Sequence, residues 1–136
     1  MVEYIYVSGG SVMDIDKKTQ YGTINITLDA VAAVAGNAAT ECYGVVGMSS
    51  RRSIKDGINE LLKKENYSKG VYVKKNAKGQ IEVDIYIIVS YGLRITETIS
   101  GVQKTVKYAL EKAFNLKLSA VNVYVQGIKR HEGLDK

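Results

Sequence analysis

The stretch from residue 81 to residue 114 limits the fold more than any other. Ile81, Val83, Ile85, Ile87 and Val89 alternate with Glu82, Asp84, Tyr86, Ile88 and Ser90. A period of two specifies a half-buried strand with one apolar face. Tyr91-Gly92 ends it. Ile95, Ile99, Val102, Val106, Ala109 and Ala113 then recur at steps of four and three, one stripe of an amphipathic helix. Two apolar surfaces of similar length must cover each other or matching partners.

The remaining segments add layers to this unit. Residues 1–18 read as a loosely ordered N-terminal arm: residues 2–7 can form a short strand, Ser8-Gly9-Gly10-Ser11 breaks it, and a polar stretch follows. Residues 19–129 read as a single domain and 130–136 as a frayed charged tail. Within the domain, Ile24 and Ile26 mark a short strand. Thr27 is placed to cap a helix, with Asp29 in its first turn. Leu28, Val31, Ala35, Ala38 and Cys42 form that helix's stripe, surrounded by small residues, and Gly44 is its expected stop. Ser53 can cap a short helix with Ile54, Ile58, Leu61 and Leu62 on one face. Residues 71–75 and 81–90 flank Asn76-Ala77-Lys78-Gly79, a hairpin pattern. Val121, Val123 and Val125 mark a last strand. The expected fold class is α+β: a two-layer sandwich, with a mixed sheet of three to four strands, two main helices on one face and a short extra helix.

Length and composition exclude several classes. A chain of 136 residues, 46% apolar and 24% charged, can bury a core and is not a disordered segment. No apolar run approaches the length of a membrane span. Glu3 precedes the first apolar run and no basic region opens the chain, unlike a secretory signal. One cysteine permits no internal disulfide, and the expected compartment is the cytoplasm. The net charge of +5 comes from 19 basic and 14 acidic residues spread along the chain. That distribution describes a solvated face more than a dedicated polyanion site.

No reactive constellation is visible. One His and one Cys, far apart, exclude zinc sites with the usual ligands. His131 sits in the charged tail, and Cys42 falls on an apolar helix stripe with nothing spaced to activate it. Asp14 and Asp16 lie close together in a polar stretch that solvation explains. There is no Walker A pattern and no dinucleotide fingerprint. No catalytic residue, metal or cofactor is implied.

Two surfaces remain. With the valines and isoleucines turned to the core, Tyr72, Lys74, Glu82, Asp84, Tyr86, Asn122, Tyr124 and Gln126 share the opposite sheet face. Cross-strand packing explains such a row structurally. Tyrosine enrichment in protein contacts gives it a functional reading. The alternative is a nucleic-acid loop: Gly44 and Gly47 match the GXXG spacing of KH domains, with Arg51 and Arg52 downstream. Two valines in the gap argue for packing there.

The order and spacing of several motifs resemble the alkaline shock protein (Gls-type) family, the envelope stress response family of Gram-positive bacteria. The resemblance runs from Tyr21-Gly22-Thr23-Ile24-Asn25-Ile26 through Glu41-Cys42-Tyr43-Gly44-Val45-Val46-Gly47-Met48-Ser49 and Gly70-Val71-Tyr72-Val73. It is most specific at Val83-Asp84-Ile85-Tyr86-Ile87-Ile88-Val89-Ser90-Tyr91-Gly92-Leu93-Arg94-Ile95, and ends at Val121-Asn122-Val123-Tyr124-Val125-Gln126-Gly127-Ile128. It implies a cytoplasmic, non-enzymatic scaffold or interaction protein. Its implied partners are further copies of itself and a membrane-anchored protein, and some relatives look linked to fatty-acid metabolism. The basic net charge and the apolar Tyr4-Ile5-Tyr6-Val7 depart from the family's often acidic arm.

The small-residue stripe carries a test. Replacing Ala35 by leucine overpacks a close helix interface, at a cost of about 1–3 kcal/mol. An unchanged melting temperature for Ala35→Leu contradicts the assignment.

Overall fold

The computed structural model describes residues 4–7, 14–50 and 61–130. Its elements, in order, are β1 (Tyr4–Val7), β2 (Ile15–Thr19), β3 (Gly22–Ile26), α1 (Leu28–Thr40) and β4 (Val45–Met48). A 3-10 turn (Lys64–Gly70), β5 (Val71–Lys75), β6 (Ile81–Ser90), α2 (Ile95–Phe114) and β7 (Leu118–Lys129) follow. The class is α+β, with a four-stranded mixed sheet and a separate three-stranded antiparallel sheet, β1-β2-β3.

β6 is the spine of the larger sheet. β7 runs parallel to it along its full length, from Ile81 opposite Leu118 to Ser90 opposite Lys129. The other edge of β6 is shared: β5 pairs antiparallel with residues 81–85 and β4 with residues 87–89. The odd-numbered face of β6, from Ile81 to Val89, joins Val71, Val73, Leu118 and Val121 in one core with α1 and α2. α2 brings Val102, Val106 and Leu110 to it, all fully buried. The stripe therefore drifts from the expected Ala113, which is exposed, toward Leu110 and the half-buried Phe114, as 3.6 residues per turn requires.

α1 begins as its sequence dictates: Thr27 Oγ1 accepts from the Ala30 N–H at 3.2 Å, and Asp29 lies in the first turn. Val31, Ala32, Ala35, Gly36, Ala38 and Ala39 are buried. The helix ends at Thr40, and Gly44, at φ +93°, turns the chain into β4. The hairpin between β5 and β6 closes on Asn76, whose Oδ1 accepts from the Lys78 and Gln80 N–H groups, both at 2.9 Å.

Three expectations change. β1 and most of β2 fall within the segment read as a loose arm. The apolar alternation there is hidden because Lys17 takes the inward position two residues after Ile15. Ile15 is fully buried, and Lys17 is nearly so. The Lys17 ammonium donates to the carbonyls of Phe114 (3.3 Å) and Asn115 (2.9 Å) at the end of α2, where unpaired carbonyls favour a cation. The helix expected from Ser53 lies mostly outside the described residues. Its last two positions are not helical: Leu61 bridges Ser49, and the Leu62 N–H donates to the Met48 carbonyl at 2.9 Å. The 3-10 turn gave no periodic signal, yet it places Tyr67 flat against α1.

That contact explains Gly36 in the middle of a helix. A Cβ added there would run into the Tyr67 ring, with Cε2 at 2.7 Å and Cγ at 2.8 Å. Alanine normally favours a helix over glycine by about 1 kcal/mol, so the sign of the substitution is diagnostic. Gly36→Ala is expected to destabilise the protein by about 1–3 kcal/mol in urea unfolding. In a Tyr67→Ala background the same change is expected to be neutral or stabilising.

Candidate interaction face

The even-numbered face of β6 carries the predicted side chains, and strand register sets their neighbours. Tyr72 lies opposite Asp84 and Lys74 opposite Glu82 across β5–β6. Asp84 lies opposite Asn122 and Tyr86 opposite Tyr124 across β6–β7. Seven of the eight residues of the predicted face are brought together by this register; Gln126 has no partner in it.

The tyrosines form a row across three strands. Tyr86 stacks on Tyr124, with ring centroids 4.7 Å apart and planes 14° from parallel. Tyr72 meets Tyr86 edge-on at 6.5 Å and 73°. Both geometries suit the quadrupoles of aromatic rings. The ends of the row are half-open, Tyr72 at 37% and Tyr124 at 42% exposure, while Tyr86 in the middle is 6% exposed.

Beside the row sits a closed charge cluster. Lys74 Nζ is 3.2 Å from Asp84 and 4.0 Å from Glu82. Asn122 Nδ2 donates to Asp84 at 2.8 Å and Glu82 at 3.2 Å. The two carboxylates are thus held by a cation and an amide, not poised as an acid/base pair. The Asp84 hydrogen bond, and then its charge, raise the Lys74 pKa above the ordinary 10.5.

The middle of this face is buried rather than open, which corrects the expectation of a half-buried strand. Asp84, Tyr86 and Ile88 are all shielded. Ile88 lies between Gly47 of β4 and Gly127 of β7. The register slips between Ile87 and Ile88, a bulge at Gln126. Gln126 Nε2 donates to the Ser50 carbonyl at 3.0 Å, tying β7 to the end of β4 across β6. Neither the bulge nor this tie has a sequence signal.

The alternative nucleic-acid loop takes a different form. Gly44 precedes β4 and Gly47 lies within it, paired with Ile88 of β6. The Val45 N–H donates to the Cys42 carbonyl, and the Gly44 carbonyl accepts from the Ser90 N–H. A Cβ at Gly47 would meet Leu61 Cδ2 at 2.8 Å. These glycines serve close packing, and the main chain of a phosphate-clamping loop is committed here to a sheet. Arg51 and Arg52 lie outside the described residues, as does His131.

The residues weighed for chemistry stand apart. Asp14 Oδ1 accepts from the Leu28 N–H at 3.2 Å, and Asp16 Oδ1 from Asn25 Nδ2 at 2.6 Å. Cys42 is half-buried, with Sγ 3.4 Å from the Ala38 carbonyl. Among the described residues no group of three or more His, Cys, Asp or Glu is placed to hold a metal ion. No described helix is long and apolar enough to cross a membrane. A groove of about 610 Å³ lies between α1, α2 and the 3-10 turn, floored by Ala38, Tyr67 and Ala109 and rimmed by Lys64 and Lys112.

The chain belongs to the alkaline shock protein 23 family, described as having a cell envelope-related function, whose model matches residues 16–130. It is similar to uncharacterized protein YloU of Bacillus subtilis, 49% identical over 86% of this chain and 97% of that one. Uncharacterized protein Spy1614 of Streptococcus pyogenes serotype M6 is 47% identical over 86% of this chain and 96% of its own length. Uncharacterized protein YqhY of Bacillus subtilis is 30% identical over 88% and 87%. A solved structure titled MamM CTD, copper form, aligns over 79% of this chain and 90% of its own at 15% identity and TM-score 0.41. That likeness is too distant to transfer either fold or copper chemistry.

The Lys74 cluster makes a pH prediction. A lysine pKa raised by folding contributes stability that is fully present below the ordinary value of 10.5 and is lost as pH rises through the folded value. Lys74 is half-exposed, so the contribution is about 1 kcal/mol or less. The stability gap between the native chain and Lys74→Met is expected to be constant from neutral pH to about 10 and to close above that. A gap that narrows steadily from neutral pH upward contradicts the pairing.

Proposed function

We propose that this chain is a non-enzymatic interaction protein of the envelope stress response. It works in the cytoplasm, by self-association or by docking a membrane-anchored partner through its tyrosine face. The observation that carries the reading is the row Tyr72–Tyr86–Tyr124, stacked into a rigid strip with two half-exposed ends. Rigid aromatics lose little side-chain entropy on binding and offer both an apolar face and a hydroxyl, which is why interfaces favour them. Membership of a family with a cell envelope-related function supports the setting. The commitment of β4 to the sheet disfavours nucleic acid as the partner.

The test combines mass and phenotype. Tyr72→Ser with Tyr124→Ser alters only half-exposed positions, so folding is expected to survive, as circular dichroism checks. Light scattering across concentration and survival of cells under cell-wall stress are then compared with the native chain. The double substitution is expected to abolish self-association or the stress phenotype. A native chain that stays monomeric, with substituted cells that behave normally, removes the basis for the reading.

A further inference from the structure

We infer that β7 is a pairing edge for a second copy of this chain, joining two tyrosine rows across a two-fold axis. The inference rests on the proposed interaction role and names its geometry. Among the described residues β7 pairs with β6 alone. From Leu118 to Ile128 it carries no charged residue and no proline, two of the means of keeping edge strands from pairing. Val121 is buried, but Val123 and Val125, on the same core-side face, are only half-covered. Tyr124 and Ile128 are exposed. The edge is therefore uncharged and incompletely covered.

The hydrogen-bond phase selects the pairing. Gln103 Nε2 of α2 donates to the Val121 carbonyl at 3.0 Å, so that carbonyl points to the outer side of β7, away from β6. Alternation along the strand turns the N–H and C=O groups of Val123 and Val125 to the same outer edge. Gln103 already occupies the edge at Val121, and the bulge at Gln126 interrupts it on the other side. The outward main-chain groups between these two blocks belong to Val123 and Val125. An antiparallel two-fold that uses both places Val123 opposite Val125 of the second copy, and Tyr124 opposite its own counterpart.

This register is self-consistent. Each Val123–Val125 pair is a hydrogen-bonded pair, and the central Tyr124 pair is the non-hydrogen-bonded kind, in which side chains lie closest. The half-covered valines of one copy then cover those of the other. The row Tyr72–Tyr86–Tyr124 continues through the axis into the same three residues in reverse order. The pairing is isologous, so it closes at two copies and leaves the rest of each tyrosine face for another partner.

The test uses the full chain in a Cys42→Ser background. Tyr124→Cys, at the axis, is expected to form a disulfide-linked dimer under mild oxidation at a yield at least about tenfold above Ser119→Cys, which lies away from it. Tyr124→Lys places like charges opposite each other and is expected to weaken the dimer at least about tenfold in light scattering. Tyr72→Lys, at the far end of the row, is expected to leave dimerisation unchanged. Circular dichroism melting confirms that each variant folds. Equal crosslinking at both positions, dissociation by Tyr72→Lys alone, or a monomer at every concentration each overturns the inference. The proposed function fails separately, when the Tyr72→Ser, Tyr124→Ser chain protects stressed cells as well as the native one.

Discussion

The parallel ladder between β6 and β7 is the constraint on which the rest of the structure depends. Two parallel neighbours need a crossover, and α2 supplies it across the core-side face. Val102, Val106 and Leu110 then bury in one core with the odd-numbered face of β6, its neighbouring strands and α1. With β7 along one edge and β5 and β4 sharing the other, both edges of β6 are paired, and its centre is shielded on both faces. The site inherits its character from this: a buried tyrosine between two half-exposed ones.

Around that ladder the chain relies on close approach more than on bulk. α1 offers small residues, and one of them, Gly36, lets Tyr67 lie against the helix backbone. Lys17 makes the reverse kind of contact, a cation brought into the interior because the last carbonyls of α2 are there to receive it. A buried ammonium is tolerated only with such acceptors. It ties the three-stranded sheet to the end of the crossover helix, so the two sheets share one packing problem.

Much of the face was legible. Alternation alone places Tyr72, Tyr86 and Tyr124 on the side opposite the core, since a period of two leaves no choice once the valines point inward. What it could not supply is the pairing among strands far apart in sequence. Asn122 reaches Asp84 across 38 positions, and Gln126 reaches Ser50 across 76. These contacts follow from strand order, and strand order is a competition among whole faces. The burial of Tyr86 and Ile88 belongs to the same class, because a strand's sequence does not say how many neighbours it will have.

By itself the sequence determined the strand–helix–strand unit from β6 to β7, the cap at Thr27, the hairpin at Asn76 and the face on which Tyr72, Tyr86 and Tyr124 stand. Each of these depends on a few adjacent residues and their local geometry. The tertiary structure alone decided that Lys17 belongs inside, that Gly47 is a packing residue of a strand rather than of a loop, and that β7 is an outer strand among the described residues. Those outcomes depend on which distant groups arrive beside each residue. A lysine or a glycine carries no local mark of that, because either can suit solvent or interior until its neighbours are set.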